Sequence, residues 1–454
     1  MSEKESKVTL KEKLGFLAFS TSTNYVFNFK DIYYLFFLTD VLEIPMKIAG
    51  IMTTLGIVWD AVNDPLIALY TANHRFKSGE QVRPYALYYC VPWAISMVLL
   101  FANFHVSSIM AAVIGVTIFF AFETFYTFLC MPYNSLASLA SDNDEDRKSI
   151  NAYRSLGSCI GIALGSVAVK PIVRLFGGLK SGVITASDSN ALFKTACVMG
   201  VVCIIGSLIH YFTSKERIKD EINSEDKINM LEAYKILFKC KSWVFNMIYI
   251  ICYGIEIALI MKAIEYYGKY IMNGDTTPIL ASYLVLAIIT SIITPMVDRK
   301  IGRKKTMILA AVVLIVGKIP FDFKPDLLIS IYLNAITTGF GATATFVMFN
   351  TNRNSIADIL ALKHSKRMDA LVGGGDNLIS KLAEAIAVAM MTTAFTKAGY
   401  DVSLGLNQTQ ATINTINALL GIVPMLIAIV TLITAFFIDT KKEYEEVLQL
   451  SKNS

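Results

Sequence analysis

The sequence is poor in charge and in histidine. Of its 454 residues, 17% are charged and four are histidines, whereas a soluble domain carries roughly 25% charged residues. Neither an HExxH motif nor a paired nucleophile and base is visible, so an enzyme is the least favoured class. The sequence also lacks a GxxxxGK[ST] loop, which argues against an ATP-driven pump.

Cysteine is present without a disulfide or zinc pattern. The count is odd and most lie inside apolar runs, which predicts small buried side chains. The seven are Cys90, Cys130, Cys159, Cys197, Cys203, Cys240 and Cys252. Residues 1–13 are polar and contain no cleavable apolar core, so we expect no signal peptide.

Long apolar segments are what the chain has in abundance, since 54% of its residues are hydrophobic. A bilayer-spanning helix needs about 20 mostly apolar residues. That window predicts twelve spans, at 14–38, 46–70, 84–104, 108–132, 152–175, 191–213, 243–268, 277–297, 306–321, 327–350, 370–396 and 411–438. The sequence therefore predicts an all-α integral membrane protein surrounded by lipid. Its net charge of +5 comes from loop clusters and does not indicate nucleic acid binding.

Lysine and arginine are distributed unevenly over the connections. They precede span one and follow every even-numbered span, whereas the alternate connections are short and poor in both. The positive-inside rule then places both termini in the cytoplasm and the chain in the inner (plasma) membrane as a multi-pass protein.

The longest connection, residues 214–242, falls in the middle and separates a bundle at 1–213 from one at 243–454. Within it, Glu225 to Lys239 has helical periodicity and predicts an amphipathic helix on the inner surface, or a solvated linker helix. After span eight, Asp298–Lys305 (DRKIGRKK) resembles the loop signature of the major facilitator superfamily, with a weaker echo at Asn73–Gly79 after span two. This resemblance implies two six-helix bundles.

Ionisable residues inside spans are costly and usually mark a pathway. Asp60 and Asp64 lie one turn apart on one helix face, with Asn63 at its edge. Both acids cannot stay ionised in a low dielectric without a nearby cation. Oxygens from these three side chains, and from Thr127, suit Na⁺ or a shared proton, and Lys381 could replace the cation. The alternative is a structural ion pair with no transported ion.

Other charged residues in the spans have simpler explanations. We expect Lys262 and Lys318 to extend outward to the membrane surface. Glu256 is expected to be satisfied by a neighbour in the carboxy-terminal half.

Several motifs agree with one transporter family in order and spacing. Trp59–Pro65 (WDAVNDP) resembles the span-two signature of the glycoside–pentoside–hexuronide:cation symporters, the melibiose-carrier family. Tyr126-Thr127 with Met131-Pro132, Arg154 and Lys381 resemble further family positions. The resemblance implies a transporter that takes a sugar and a monovalent cation, Na⁺ or H⁺, and needs no other cofactor.

The resemblance also implies residue roles. Asp60, Asn63, Asp64 and Thr127 would form the cation site, with the two acids as Na⁺ ligands. Lys381 would couple that site to the substrate site.

The expected substrate site departs from the galactoside carriers. Arg154 would contact substrate beside Tyr126. Asn24, Cys130 and Asn134 occupy the positions where galactoside carriers have an acid, an acid and a tryptophan, which puts a galactoside in doubt. Loss of two acids beside a retained arginine favours an acidic sugar such as a glucuronide.

Two further acids could replace those that are missing. Asp31 and Glu123 each lie seven residues from Asn24 or Cys130 on the same helix face, roughly 10 Å nearer the outside. We expect these two acids to form an outer polar vestibule for substrate. The alternative pairs Lys30 with one of them as a structural bridge.

Three function classes follow. The first is a cation-coupled sugar symporter, and the second a symporter of a lysophospholipid or another non-sugar solute. The third, a receptor or scaffold, has no need to keep Asp60, Asp64, Thr127 and Lys381 together.

Overall fold

A computed structural model describes residues 8–218, 230–364 and 369–453, and the regular elements assigned within these ranges are helical. In chain order the α-helices are α1 Leu10–Phe36, α2 Met46–Asn73, α3 Tyr85–Leu100, α4 Ser108–Ala140, α5 Asp144–Val167, α6 Val169–Leu175, α7 Ser189–Thr213, α8 Met230–Lys239, α9 Lys241–Tyr267, α10 Thr277–Ile301, α11 Arg303–Phe323, α12 Leu328–His364, α13 Asp369–Ala398, α14 Gln410–Leu420, α15 Ile422–Phe437 and α16 Thr440–Asn453. Five-residue π-helices, Phe37–Val41 and Gly268–Met272, extend α1 and α9. The first long helix of each half therefore ends in the same way.

Helices overlap each of the predicted spans, but two spans are broken. Span five consists of α5 and α6, which meet at a bend of 50°. Span twelve consists of α14 and α15, separated by Gly421. By length and composition, 7 helices in the described ranges are suited to cross a membrane, or up to 8 with the bent pair. The count of twelve stays a prediction.

The helices group into two compact units. The first contains α1 to α7 together with the connections Asn273–Thr277 and Asp401–Asn407, and the second contains the rest of α8 to α16. Between α7 and α8 the chain passes from the first unit to the second, and the predicted bundle boundaries stay a prediction. Helix α8 covers part of the predicted amphipathic helix, and residues 225–229 lie outside the described ranges.

In the first unit, α5 packs closely on α1 through three glycines four residues apart. A Cβ atom at Gly157, Gly161 or Gly165 would collide with a backbone carbonyl oxygen of α1. Small residues at this spacing allow helix backbones to approach. The hydroxyl of Ser20 adds a hydrogen bond to the backbone oxygen of Arg154 at 2.8 Å. This interface fixes the start of α5 against α1.

Helices α2 and α4 meet in a similar way. A Cβ at Gly56 would collide with the ring of Phe119. One turn further along α2, the indole Nε1 of Trp59 donates to Thr124 Oγ1 at 3.0 Å, and the indole stacks on Phe120 at 4.9 Å. These contacts place the acidic face of α2 against α4.

In the second unit, buried lysines pair with glutamates. Lys318 Nζ lies 3.2 Å from Glu256 Oε1, and Lys262 Nζ lies 3.0 Å from Glu384 Oε1. Lys318 is 0% exposed and Lys262 is 5% exposed. The expectation that both lysines extend outward is therefore wrong, because each finds an opposite charge inside the unit. The expectation that a neighbour satisfies Glu256 is confirmed.

The cysteines are free thiols. Cys90, Cys203, Cys240 and Cys252 are buried as predicted, whereas Cys159 is exposed, so that the prediction is wrong there. Its helix face lies opposite the glycine face that packs on α1, which leaves the thiol without cover.

Candidate functional site

Two carboxylates of α2 converge on one hydroxyl of α4. Thr127 Oγ1 lies 2.9 Å from Asp64 Oδ1 and 3.5 Å from Asp60 Oδ1. It also lies 3.0 Å from the backbone oxygen of Glu123. A hydroxyl has one proton to donate, so it can satisfy only one of these three oxygens at a time. The arrangement concentrates oxygen lone pairs at a buried point, since Asp60 is 5% exposed and Thr127 is 2% exposed.

Asn63 adds a buried amide at the edge of the face that carries the two acids of α2. It is 3% exposed, and neither its Oδ1 nor its Nδ2 has a hydrogen-bond partner among the described residues. A buried polar group left unsatisfied costs about 1–3 kcal/mol, which a bound ligand would recover. Carboxylate, amide and hydroxyl oxygens suit hard cations, and two close acids also suit a shared proton.

The chain around the acids adds one more oxygen. Pro65 lies inside α2, and proline has no N–H to donate to the carbonyl four residues earlier. The carbonyl oxygen of Ala61 therefore lacks its usual helical donor. Ala61 follows Asp60 directly in the chain.

Lys30 bridges the two acids that the sequence predicts for the outer vestibule. Its Nζ lies 3.0 Å from both Glu123 Oε1 and Asp31 Oδ1, and 3.9 Å from the ring centroid of Phe27. Glu123 is 1% exposed in this bridge, whereas Asp31 is 26% exposed. The structure thus contains the bridge of the alternative interpretation, and of the two acids Asp31 is the more accessible.

The other predicted substrate residues on α4 and α5 form one polar group. The guanidinium of Arg154 donates to Asn134 Oδ1 and, at 3.2 Å, to Asn151 Oδ1. It also lies 4.5 Å from the ring centroid of Tyr133. Cys130 is half-buried one turn before Asn134 on α4. The structure brings Arg154, Asn134 and Cys130 to the same end of this helix pair.

Asn24 and Tyr126 have different surroundings. The amide of Asn24 donates to Ser158 Oγ at 3.2 Å, in the interface between α1 and α5. The ring of Tyr126 lies between Phe27, at 4.7 Å, and Trp93, at 5.5 Å. Aromatic rings commonly stack on the apolar faces of sugars. Sequence reasoning missed Phe27 and Trp93 because their alignment with Tyr126 depends on how α1, α3 and α4 pack.

Lys381 lies on α13 in the second unit and is half-buried. It precedes Glu384 by one helical turn, and Glu384 pairs with Lys262 at 3.0 Å. Among the described residues no group of three or more His, Cys, Asp or Glu side chains could hold a metal ion. The mixed oxygen cluster on α2 and α4 is the candidate site for a coupling cation, because two carboxylates and a hydroxyl converge there.

Comparisons with known proteins find sugar transporters and symporters among the relatives of this chain. A family model described as MFS/sugar transport protein matches residues 15–442. The isoprimeverose transporter of Lactiplantibacillus pentosus is 24% identical over 319 residues, which cover 69% of this chain and 64% of that protein. The inner membrane symporter YicJ of Escherichia coli is 24% identical over 448 residues, covering 95% and 92% of the two chains.

Solved structures show the same fold. An inward-facing bacterial homolog of the human lysosomal transporter Spinster superposes with a TM-score of 0.70. The match is 13% identical and covers 98% of both chains. At that identity the likeness concerns the fold alone.

Proposed function

We propose that this chain carries a sugar across the membrane together with Na⁺ or H⁺. The chain belongs to the MFS/sugar transport protein family. The family match and the named relatives confirm the resemblance to glycoside–pentoside–hexuronide:cation symporters. The protein is a membrane transporter with the major facilitator fold and not an enzyme. The coupling ion and the substrate are what the proposal adds.

One observation carries the choice of a coupled carrier. Asp60 and Asp64 share the single hydroxyl of Thr127, beside the unsatisfied amide of Asn63. Such a cluster of oxygens is stabilised by a bound cation or by a shared proton. A facilitator without coupling has no need for it.

Coupling follows from charge. A cation at Asp60 and Asp64 neutralises the pair and raises substrate affinity. By thermodynamic linkage, substrate raises cation affinity by the same factor. The substrate site then opens to one side of the membrane at a time, as in alternating access. The proposed topology has twelve spans and both termini in the cytoplasm.

The substrate end of the proposal rests on the first unit. Arg154 provides a half-buried guanidinium held by Asn134. Tyr126 would meet the sugar with its edge or hydroxyl, because Phe27 and Trp93 pack against its ring. Asp31 provides a partly exposed carboxylate. Because Asn24 and Cys130 carry no charge, a glycoside, pentoside or hexuronide other than a galactoside fits this set, and an acidic sugar fits it well.

Uptake into proteoliposomes tests the proposal. Purified protein is offered labelled xylosides, glucosides and glucuronides under an inward Na⁺ gradient, an inward proton gradient, or neither. We expect at least one sugar to accumulate above equilibrium with one gradient, and only to equilibrate without it. Equal sugar uptake with and without both gradients would show a facilitator and overturn the coupling.

The same assay separates the second candidate. A lysophospholipid that accumulates under a cation gradient, while every sugar is excluded, would replace the sugar by a lipid and leave the cation site in place. Failure of both substrate classes to move with any gradient would favour a receptor or scaffold.

A further inference from the structure

A basic cleft at one end of the second unit takes no part in the proposed transport. It has a volume of about 630 Å³ and lies between the turn that joins α10 to α11, the late part of α12, and the junction of α15 with α16. Its cations are Arg303, Lys304, Lys305 and Lys441. A cavity with several convergent charged groups is a candidate binding site.

The acids of the cleft do not cancel these charges. Asp298, Asp358 and Asp439 also line it. Asp439 Oδ1 accepts the backbone N–H of Lys442 at 3.2 Å and so caps the start of α16. Arg299 and Lys300 precede the cleft in sequence and add two further positive charges. The cleft and its approach therefore carry six cations against three acids, which leaves a net positive charge.

The start of α11 adds partial positive charge to these side chains. Gly302 precedes the helix with φ 87°, and no side chain caps it. The first helical bond runs from Thr306 N to Gly302 O at 3.1 Å, which leaves the earlier N–H groups without a helical acceptor. Helix N-termini of this kind favour phosphate and other anions.

One of the cations is held in place. Arg303 Nη1 donates to Ser355 Oγ at 2.7 Å and to Thr440 Oγ1 at 2.9 Å. These bonds join α11, α12 and α16 around the cleft. The three lysines are exposed and can turn toward a bound anion.

The apolar surface next to the cleft favours a lipid over a free phosphate ion as the ligand. Phe436 is 52% exposed and Phe437 is 50% exposed on the last turn of α15. Lys304 Nζ lies 6.0 Å from the ring centroid of Phe436. Exposed Phe side chains beside Lys and Arg are typical of a surface that lies at a membrane boundary, where the apolar rings meet acyl chains and the cations meet headgroups. A free phosphate makes no use of these rings.

We infer that this cleft binds the phosphate of an anionic phospholipid from the adjacent leaflet, with the acyl chains lying along the exposed face of α15. A lipid headgroup and a free phosphate ion would be recognised by the same groups, and we assign the bound phosphate to the lipid. On the topology proposed above, that leaflet is cytoplasmic, where polybasic clusters attract acidic lipids. The inference does not depend on which sugar or ion is transported.

Native mass spectrometry of the full-length protein tests it with phosphatidylglycerol, phosphatidylcholine and inorganic phosphate as probes. The cleft variant carries Lys304→Gln, Lys305→Gln and Lys441→Gln. The control variant carries Lys77→Gln, Lys215→Gln and Lys239→Gln, three exposed lysines outside the cleft, with the same loss of charge. We expect the cleft variant to lose roughly a hundredfold in phosphatidylglycerol affinity, at about 1 kcal/mol for each of the three lysines, and the control to change less than about twofold.

Three results would overturn the inference. Equal losses in both variants would show attraction by net charge alone. Phosphatidylcholine that binds the wild-type protein as tightly as phosphatidylglycerol does would show that the headgroup charge does not matter. Inorganic phosphate that competes with phosphatidylglycerol at equal concentration would make the free ion the ligand. Thermal unfolding of both variants near the wild-type temperature excludes misfolding as the cause.

Discussion

Acids of α2 and acids of the second unit both lie in apolar helices, yet their negative charges are balanced in different ways. Glu256 faces Lys318 at 3.2 Å, with the two side chains 2% and 0% exposed. Asp60 and Asp64 instead converge on the hydroxyl of Thr127. One arrangement neutralises an acid with a fixed cation of the protein. The other gathers several oxygens at a point, as a site for a mobile cation requires.

The largest expected effect concerns the fixed pair. Lys318→Met or Glu256→Met alone leaves one buried charge without its partner, which costs about 3–5 kcal/mol. The double variant removes both charges, and we expect it to recover most of the stability and to keep cation-driven uptake. Thermal unfolding in detergent, followed by uptake, measures both. A double variant as unstable as the single ones, or one that loses coupling, would place this pair in the transport cycle.

A smaller effect separates packing from cation binding. Gly56→Ala places a methyl group against Phe119, between α2 and α4, and Gly254→Ala places one 2.7 Å from Ala383 in the second unit. Overpacking of this kind costs about 1–3 kcal/mol. We expect both variants to be destabilised, but only Gly56→Ala to weaken cation affinity.

Gly374→Ala is the control for these substitutions, since nothing lies within 4 Å of its Cβ. It should be neutral or slightly stabilising, because alanine is the better helix former. Cation affinity that falls equally in Gly56→Ala and Gly254→Ala would remove the difference between the two regions.

The Thr127 hydroxyl should contribute about 1.5–3 kcal/mol to the binding free energy of the cation, which is typical of a hydrogen bond to a charged group. We expect Thr127→Val to raise the cation concentration for half-maximal uptake by about tenfold or more, and Thr127→Ser to restore it. Thr117→Val is the matched control, because that hydroxyl bonds only the backbone oxygen of Val113 among the contacts described. A Thr127→Ser variant no better than Thr127→Val would point to the methyl group and not to the oxygen.

The smallest effect concerns an acid outside the predicted spans. Burial opposes ionisation of Asp275, but hydrogen bonds from Thr277 and the Arg174 guanidinium at 2.6 Å lower its pKa to about 2. A lowered pKa stabilises the fold above the ordinary value of 3.8, and the gain is lost as pH falls toward about 2. The stability difference between wild type and Asp275→Asn, about 1 kcal/mol after allowance for solvent screening, should be constant from pH 7 to 5 and shrink by pH 3. A difference that does not change over this range would exclude the ionised carboxylate as its source.

Local patterns predicted the parts of the molecule that depend on neighbours in sequence. The apolar windows predicted where helices lie, and the spacing of Asp60 and Asp64 predicted a shared helix face. The contact with Thr127 followed from family resemblance, since nothing local in the chain relates residues 63 positions apart.

What sequence reasoning missed depends on the packing of distant helices. Lys318 and Glu256 are 62 positions apart in the chain, and the sequence predicted a partner for Glu256 without identifying Lys318. A lysine in an apolar segment reaches outward unless an acid meets it inside. Such an acid is identified only when the helices are placed together. The break of span twelve at Gly421 was also missed, although a glycine in a helical run is a visible signal.

Gradient-driven accumulation in Asp64→Asn tests the central claim most directly, with Asp60→Asn beside it and Asp401→Asn as a control at a surface acid. The transported sugar is measured inside proteoliposomes under the driving cation gradient, and exchange of labelled for unlabelled sugar is measured without one. The account predicts that both α2 variants lose accumulation, by about the 5- to 150-fold typical of coupled sites, while retaining exchange, and that Asp401→Asn behaves as wild type. Accumulation by Asp64→Asn and Asp60→Asn at the wild-type level would contradict it.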